Sequence, residues 1–242
     1  MGAFEDLQPL HDRGALYAAF SQQLLQEGME EQLGGDFDYA VDLGADSIAF
    51  TGLNTGAAIE TTVELIASVA PDPQTIVWGR ALPNGGRFCA QKLLEHGRAE
   101  GLPSLLADEV PFSVGDDPDA AALYAALEIA AVTATVTDGG LTYVVAPGGG
   151  GTHAVLLLGD NLAFAQPRID HRLMTWVPAV FGAGTIIDQR AAVHGLATMS
   201  GWDIDWTDNW DRAELTDPAT GDSATTEFDD HARLIALRGS LS

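Results

Sequence analysis

The stretch LTYVVAPGGGGTHAVLLLGD, residues 141–160, decides how this chain folds. Read as a phosphate-cradling loop, it belongs in a parallel α/β nucleotide enzyme. Read as a hairpin, it belongs in an antiparallel sheet. A Walker-type loop needs a Lys and a Ser or Thr opening a helix directly after the glycines. The Lys holds the terminal phosphates and the hydroxyl holds magnesium. No Lys follows here, and AVLLLGD has the character of a strand. A dinucleotide-binding fingerprint would also require a helix at that place. Leu141 to Val145 and Ala154 to Leu158 are therefore expected to be two strands, joined by glycines that tolerate positive φ. A ligand loop built from Gly149, Gly150, Thr152 and His153 is the alternative reading of the same residues.

Working outward, period two recurs before this hairpin. Phe37, Tyr39, Val41 and Leu43 alternate with Asp38, Ala40 and Asp42, the pattern of a half-buried strand. Ser47 to Thr51 is a second strand. Ile59, Thr61, Val63 and Leu65 form one face of a third, and Thr75 to Trp78 is a fourth, reached through the turn Pro71-Asp72-Pro73. Short turns between consecutive strands imply antiparallel pairing, a meander. Helices are expected at residues 15–33, stopped by Gly34-Gly35, and from Phe88 to Glu100. Val110 to Val114 is a short strand. Asp117-Pro118 opens a helix that is apolar almost all round and so should be buried. A looser segment with Pro167, Pro178, Gly182 and Gly184 follows, then a helix capped by Asp188 and reaching about Met199. Strands return around residues 202–207, 212–215, 225–228 and 233–237. The fold class expected is α+β, with antiparallel meander sheets flanked by helices and a β-rich C-terminal portion. One compact domain over 1–242 is expected, or two β-rich lobes at about 15–160 and 161–242.

The net charge is −24, with 35 acidic residues against 11 Lys and Arg. Such a field opposes nucleic acid and anionic membranes. It favours a basic protein partner, or it reflects only an acidic, salt-adapted background. Ala120 to Val136 reads as too short and too weakly apolar to span a membrane. No N-terminal run resembles a secretory signal, so the expected location is cytoplasmic. The lone cysteine, Cys89, is expected to be a small buried residue on a helix.

Two further segments carry candidate chemistry. Asp203, Asp205, Thr207, Asn209, Asp211 and Glu214 occupy the ligand positions of a calcium loop. Against that, Asp208 stands where the loop requires Gly, and Trp202, Ile204 and Trp206 alternate as a strand would. In TIVWGRALPNGG, residues 75–86, Trp78 and Arg80 lie on one side of an extended chain, with Asn84 close behind. A flat π face beside a planar cation suits partner recognition, and a core role for Trp78 is the competing reading. No HExxH or GxSxG sequence occurs. The histidines of the adjacent pairs Asp170-His171 and Asp230-His231 read as ordinary surface residues. No catalytic residue and no cofactor is implied.

TIVWGRALPN, LLEHGRAEGLPSL and LTYVVAPGGGGTHAVLLL occur in that order. Together they resemble a bacterial domain family of unknown function, in which a Trp-rich strand precedes a helix with a G-x-x-x-G-[IL]-P-like end and a P-x-G-G-G-T hairpin. AVFGAGTIIDQRAAVHGLATMSGW resembles that family's last helix. The resemblance spans 15–200 and implies a fold rather than an activity. Arg80 stands where that family often carries a second aromatic.

The expected function is a non-enzymatic, acidic binding or regulatory module. The alternative is a small-ligand binder or enzyme with a pocket between the 146–153 loop and Trp78.

Overall fold

The computed structural model describes residues 4–86, 88–112, 116–140, 142–159, 162 and 166–240. Leu141, Ser113, Val114 and Asp160 lie outside them.

Helix α1 spans Gln8–Leu33. It begins earlier than its apolar periodicity suggests because Pro9 sits in its first turn, where a missing N–H costs nothing. It ends as expected at Gly34, whose φ of 78° is left-handed. The meander follows: β1 (Phe37–Asp42), β2 (Ser47–Gly52), β3 (Ala58–Pro71) and β4 (Gln74–Trp78), all antiparallel. β3 runs to 14 residues, twice the span its alternation indicates. A bulge between Leu65 and Ala67 breaks the period there, and Ile66, Ala67 and Val69 are buried beyond it.

Helices α2 (Cys89–Glu100) and α3 (Pro103–Leu106) lead to β5 (Glu109–Pro111), which pairs with β4. Helix α4 (Pro118–Val136) is capped by the Asp117 carboxylate, which accepts from the backbone N–H of Asp119 and Ala120. The 141–160 stretch is a hairpin: β6 (Tyr143–Gly149) pairs with β7 (Thr152–Leu158), and β7 pairs with β3. These strands make one branched seven-stranded sheet. One expectation about α4 is corrected. Its 19 residues are long and apolar enough to cross a membrane by length and composition. Here Ala122, Ala125, Ala126 and Ile129 instead pack with Ile66, Ile76 and Trp78 in the core.

The looser segment is also corrected. Helix α5 (His171–Gly182) forms there, capped by Asp170 through the Arg172 N–H at 2.8 Å. Leu173, Val177 and Phe181 recur every fourth residue and are buried, while Pro178 falls on the exposed side. Burial of that stripe outweighs the one backbone hydrogen bond lost to proline. Helix α6 (Gln189–Ser200) starts at Asp188 as read. Strands β8 (Asp203–Trp206), β9 (Arg212–Thr216), β10 (Ser223–Phe228) and β11 (Leu234–Ser240) form a second, four-stranded antiparallel meander. The architecture is α+β. The two β-rich portions form separate sheets, and α1 supplies side chains to the cores of both. Leu25, Met29 and Leu33 pack with Ile48 and Phe50, while Leu16, Tyr17 and Phe20 pack with α5, α6 and the C-terminal sheet.

Candidate functional site

Trp78 ends β4 and is 1% exposed. Its indole N–H donates to the Ser104 carbonyl at 2.9 Å. The Arg80 guanidinium lies 5.8 Å from the Trp78 ring, donates to Asp108 Oδ1 at 3.2 Å and bonds the Ala107 carbonyl. One of its nitrogens, Nη1, is buried without a partner among the described residues. The pair ties the end of β4 to α3, through Trp78, and to the loop after α3, through Arg80. Trp78 has no face to offer a partner, because the core covers it.

Asn84 belongs to a different feature. It lines a cavity of about 440 Å³ beside the β1–β2 turn, with Asp46, Glu64 and Phe88. Glu64 Oε1 accepts from the backbone N–H of Cys89 at 2.7 Å and of Ala90 at 3.2 Å. A carboxylate placed so answers the orphan donors and the positive end of α2. Gly86 is required there, since a Cβ would stand 2.2 Å from Glu64 Cγ. Burial, together with the nearby Glu64 charge, pushes the Cys89 thiol up to about 11. At neutral pH it stays protonated and supplies no thiolate.

Gly149, Gly150 and Gly151 all have positive φ, between 58° and 85°. Gly149 and Gly150 are exposed at the hairpin tip, and a Cβ on Gly151 would meet Asp119 and Pro71. Thr152 and His153 lie on β7, with His153 opposite Val69. The tip thus sits at the Pro71 end of β3, whereas Trp78 pairs with Ala67 farther along. Among the described residues, none of four cavities beside the sheets and the helices is lined by both the hairpin tip and Trp78.

The calcium-loop spacing resolves into a hairpin. Asp203 and Asp205 are exposed on β8, facing Thr216 and Glu214 of β9. Asn209 and Asp211 lie in the connecting turn, where Asp211 accepts from the Thr207 hydroxyl at 2.7 Å. Extended strands spread the carboxylates where a helix–loop–helix would gather them. No group of three or more His, Cys, Asp or Glu among the described residues is placed to hold a metal.

The sequence reading passed over a cleft of about 500 Å³ between α1, α6 and the β8–β9 hairpin. Trp206 and Trp210 stack there, with centroids 5.2 Å apart and planes at 26°. Trp206 Nε1 donates to His194 Nδ1 at 3.2 Å. Arg13 and Arg190 also line the cleft. Burial, with Arg13 as the second cause, holds the His194 imidazolium below its usual range. Asp12 of α1, beside the cleft, ties α1 to the residues that open α6. Burial alone would raise this carboxyl. Bonds from His11, from the Asp188 and Ile187 N–H groups and from Gln8 outweigh that and hold it below the carboxylate range. One sequence signal was available. Three of the chain's five tryptophans fall between 202 and 210.

Fold and surface together define an acidic α+β protein of two antiparallel sheets served by one long helix. A family model, described as a family of unknown function (DUF6882), matches residues 8–161, and the chain belongs to that family. The match runs from α1 to just past β7. No curated protein and no solved structure matches the chain.

Proposed function

We propose that this protein is a non-catalytic binding module that takes a basic protein partner on the solvent face of β1, β2 and β3. One observation carries the reading. Between Gly14 and Gly79 there is no Lys, Arg or His, and the strand register collects carboxylates from that span on one face of the sheet. Asp38, Asp42 and Glu60 stand exposed there. Ala40 lies beside Ala49, which lies beside Glu60, while Asp42 lies beside Ser47, which lies beside Thr62. Small side chains between the acids let a partner approach closely. β1 is also the end strand of its sheet, and charge on an end strand discourages self-pairing while attracting opposite charge.

Capture of the tagged protein's partners from its native lysate, at low and high salt, tests this. A stoichiometric basic partner should bind at low salt and be released at high salt, as expected for exposed charges. The triple variant Asp38→Lys, Asp42→Lys, Glu60→Lys should lose it while keeping its circular dichroism spectrum. Capture that ignores both salt and the triple substitution overturns the reading.

A further inference from the structure

We propose that the cleft between α1, α6 and the β8–β9 hairpin binds a small planar organic carboxylate. This goes beyond the protein-binding reading and uses a different part of the surface.

The cleft combines an aromatic wall with directed positive charge. Trp206 is held from behind by Phe228, with ring centroids 5.7 Å apart, and is stacked by Trp210. Trp210 is 54% exposed, so an indole face stays open to a ring of similar size. The volume of about 500 Å³ lies in the range of small-molecule sites.

Indole Nε1–H is only a donor, so the bond from Trp206 makes His194 Nδ1 the acceptor. The neutral ring then carries its proton on Nε2, which becomes a donor for an incoming oxygen. Arg190 is occupied: its Nη1 donates to the Trp210 carbonyl at 3.4 Å, and its Nε lies 4.0 Å from Asp188. Asp188 is occupied too, as the cap that accepts from the Ala191 N–H. Arg13 differs. In a chain with 35 acidic residues, it makes no ion pair or hydrogen bond through its side chain among the described residues. A planar guanidinium without a carboxylate, beside stacked indoles, matches a planar anion that brings both oxygens and a ring. Among the described residues, the one carboxylate lining the cleft, Asp188, is offset by Arg190, which leaves the Arg13 charge, and acidic groups beyond about 8 Å are largely screened at physiological salt.

Trp210 has a φ of 57°, a left-handed backbone that is costly for a bulky residue. Arg190 helps to hold that backbone in place. The cost gives a clean test variant, since glycine adopts this φ freely while removing the indole.

Calorimetric titration with 2-naphthoate tests the proposal, with uncharged 2-naphthamide and tetramethylammonium as comparison probes. The intact protein should bind one naphthoate saturably, at least tenfold more tightly than either comparison probe. Arg13→Gln should bring naphthoate down to the level of the amide. Trp210→Gly should keep its thermal unfolding and lose the affinity for both ring compounds. The Asp38, Asp42 and Glu60 charge reversals should leave naphthoate binding unchanged, which separates this site from the acidic sheet face. No saturable naphthoate binding, equal binding of acid and amide, or a preference for tetramethylammonium overturns the assignment.

Discussion

Trp78 and Trp210 show how one residue type divides between two roles. Both follow strand-like runs, and on sequence alone Trp78 was the candidate for recognition. The fold gives Trp78 a carbonyl partner and buries it, and leaves Trp210 open beside Arg13. Alternation along a strand places a side chain on a face, but what covers that face comes from distant segments. His194 carries a prediction at this scale. Its folded pKa lies below the usual imidazole value, through burial and then the Arg13 charge, while the unfolded ring titrates near about 6.5. The unfolded state therefore binds the extra proton first as pH falls. Stability is full above about pH 6.5 and declines below it. Denaturant unfolding between pH 7.5 and 5 should show this decline in the wild-type protein. His194→Gln should flatten it, and identical pH slopes would remove His194 as the cause.

At the scale of elements, two glycines set the helix packing. A Cβ on Gly14 of α1 would stand 2.0 Å from the Ala131 carbonyl oxygen of α4, and one on Gly195 of α6 would stand 1.9 Å from the Arg13 carbonyl oxygen. Both neighbours are backbone and cannot swing aside. Gly14→Ala should therefore destabilise, although alanine gains about 1 kcal/mol of helix propensity over glycine. The separation forced on two packed helices costs roughly 1–3 kcal/mol or more. A lowered urea midpoint would show it, and an unchanged or raised midpoint would mean that the helices yield.

Much at this scale was legible in the residues. The β1–β4 meander, the glycine-rich hairpin, the Asp117 and Asp188 caps and the four C-terminal strands follow from period two, turn residues and caps. The misses have local causes. The bulge at Ile66 breaks the period of β3 and hides its second half. Pro178 masks α5, because proline argues for a break unless one knows that it faces solvent. The cleft was less legible still. Arg13 is far in sequence from His194 and Trp206, and only the packing of α6 on α1, with β8 folded back on α6, brings the three together.

At the scale of the whole molecule, α1 is a rod of about 39 Å that serves two cores. Its later turns support the first sheet, and Leu16, Tyr17 and Phe20 are covered by α5, α6 and the second sheet. All of that cover lies after residue 161, where the family match ends. A chain cut there would expose three large side chains, each worth about 1.5–3 kcal/mol when buried. Residues 1–161 alone should lack a sharp thermal transition and bind hydrophobic dyes, whereas the full chain should melt cooperatively. A fragment that melts as sharply as the full chain would show that α1 needs only its first neighbours.

The shared helix also limits transplantation. A boundary drawn by resemblance falls through the middle of a packed interface, with half of the contact surface on either side. Grafting residues 8–161 into another host would carry a lock without its matching plate. The graft would hold only where the host supplied an apolar cover of its own for the outward side of α1.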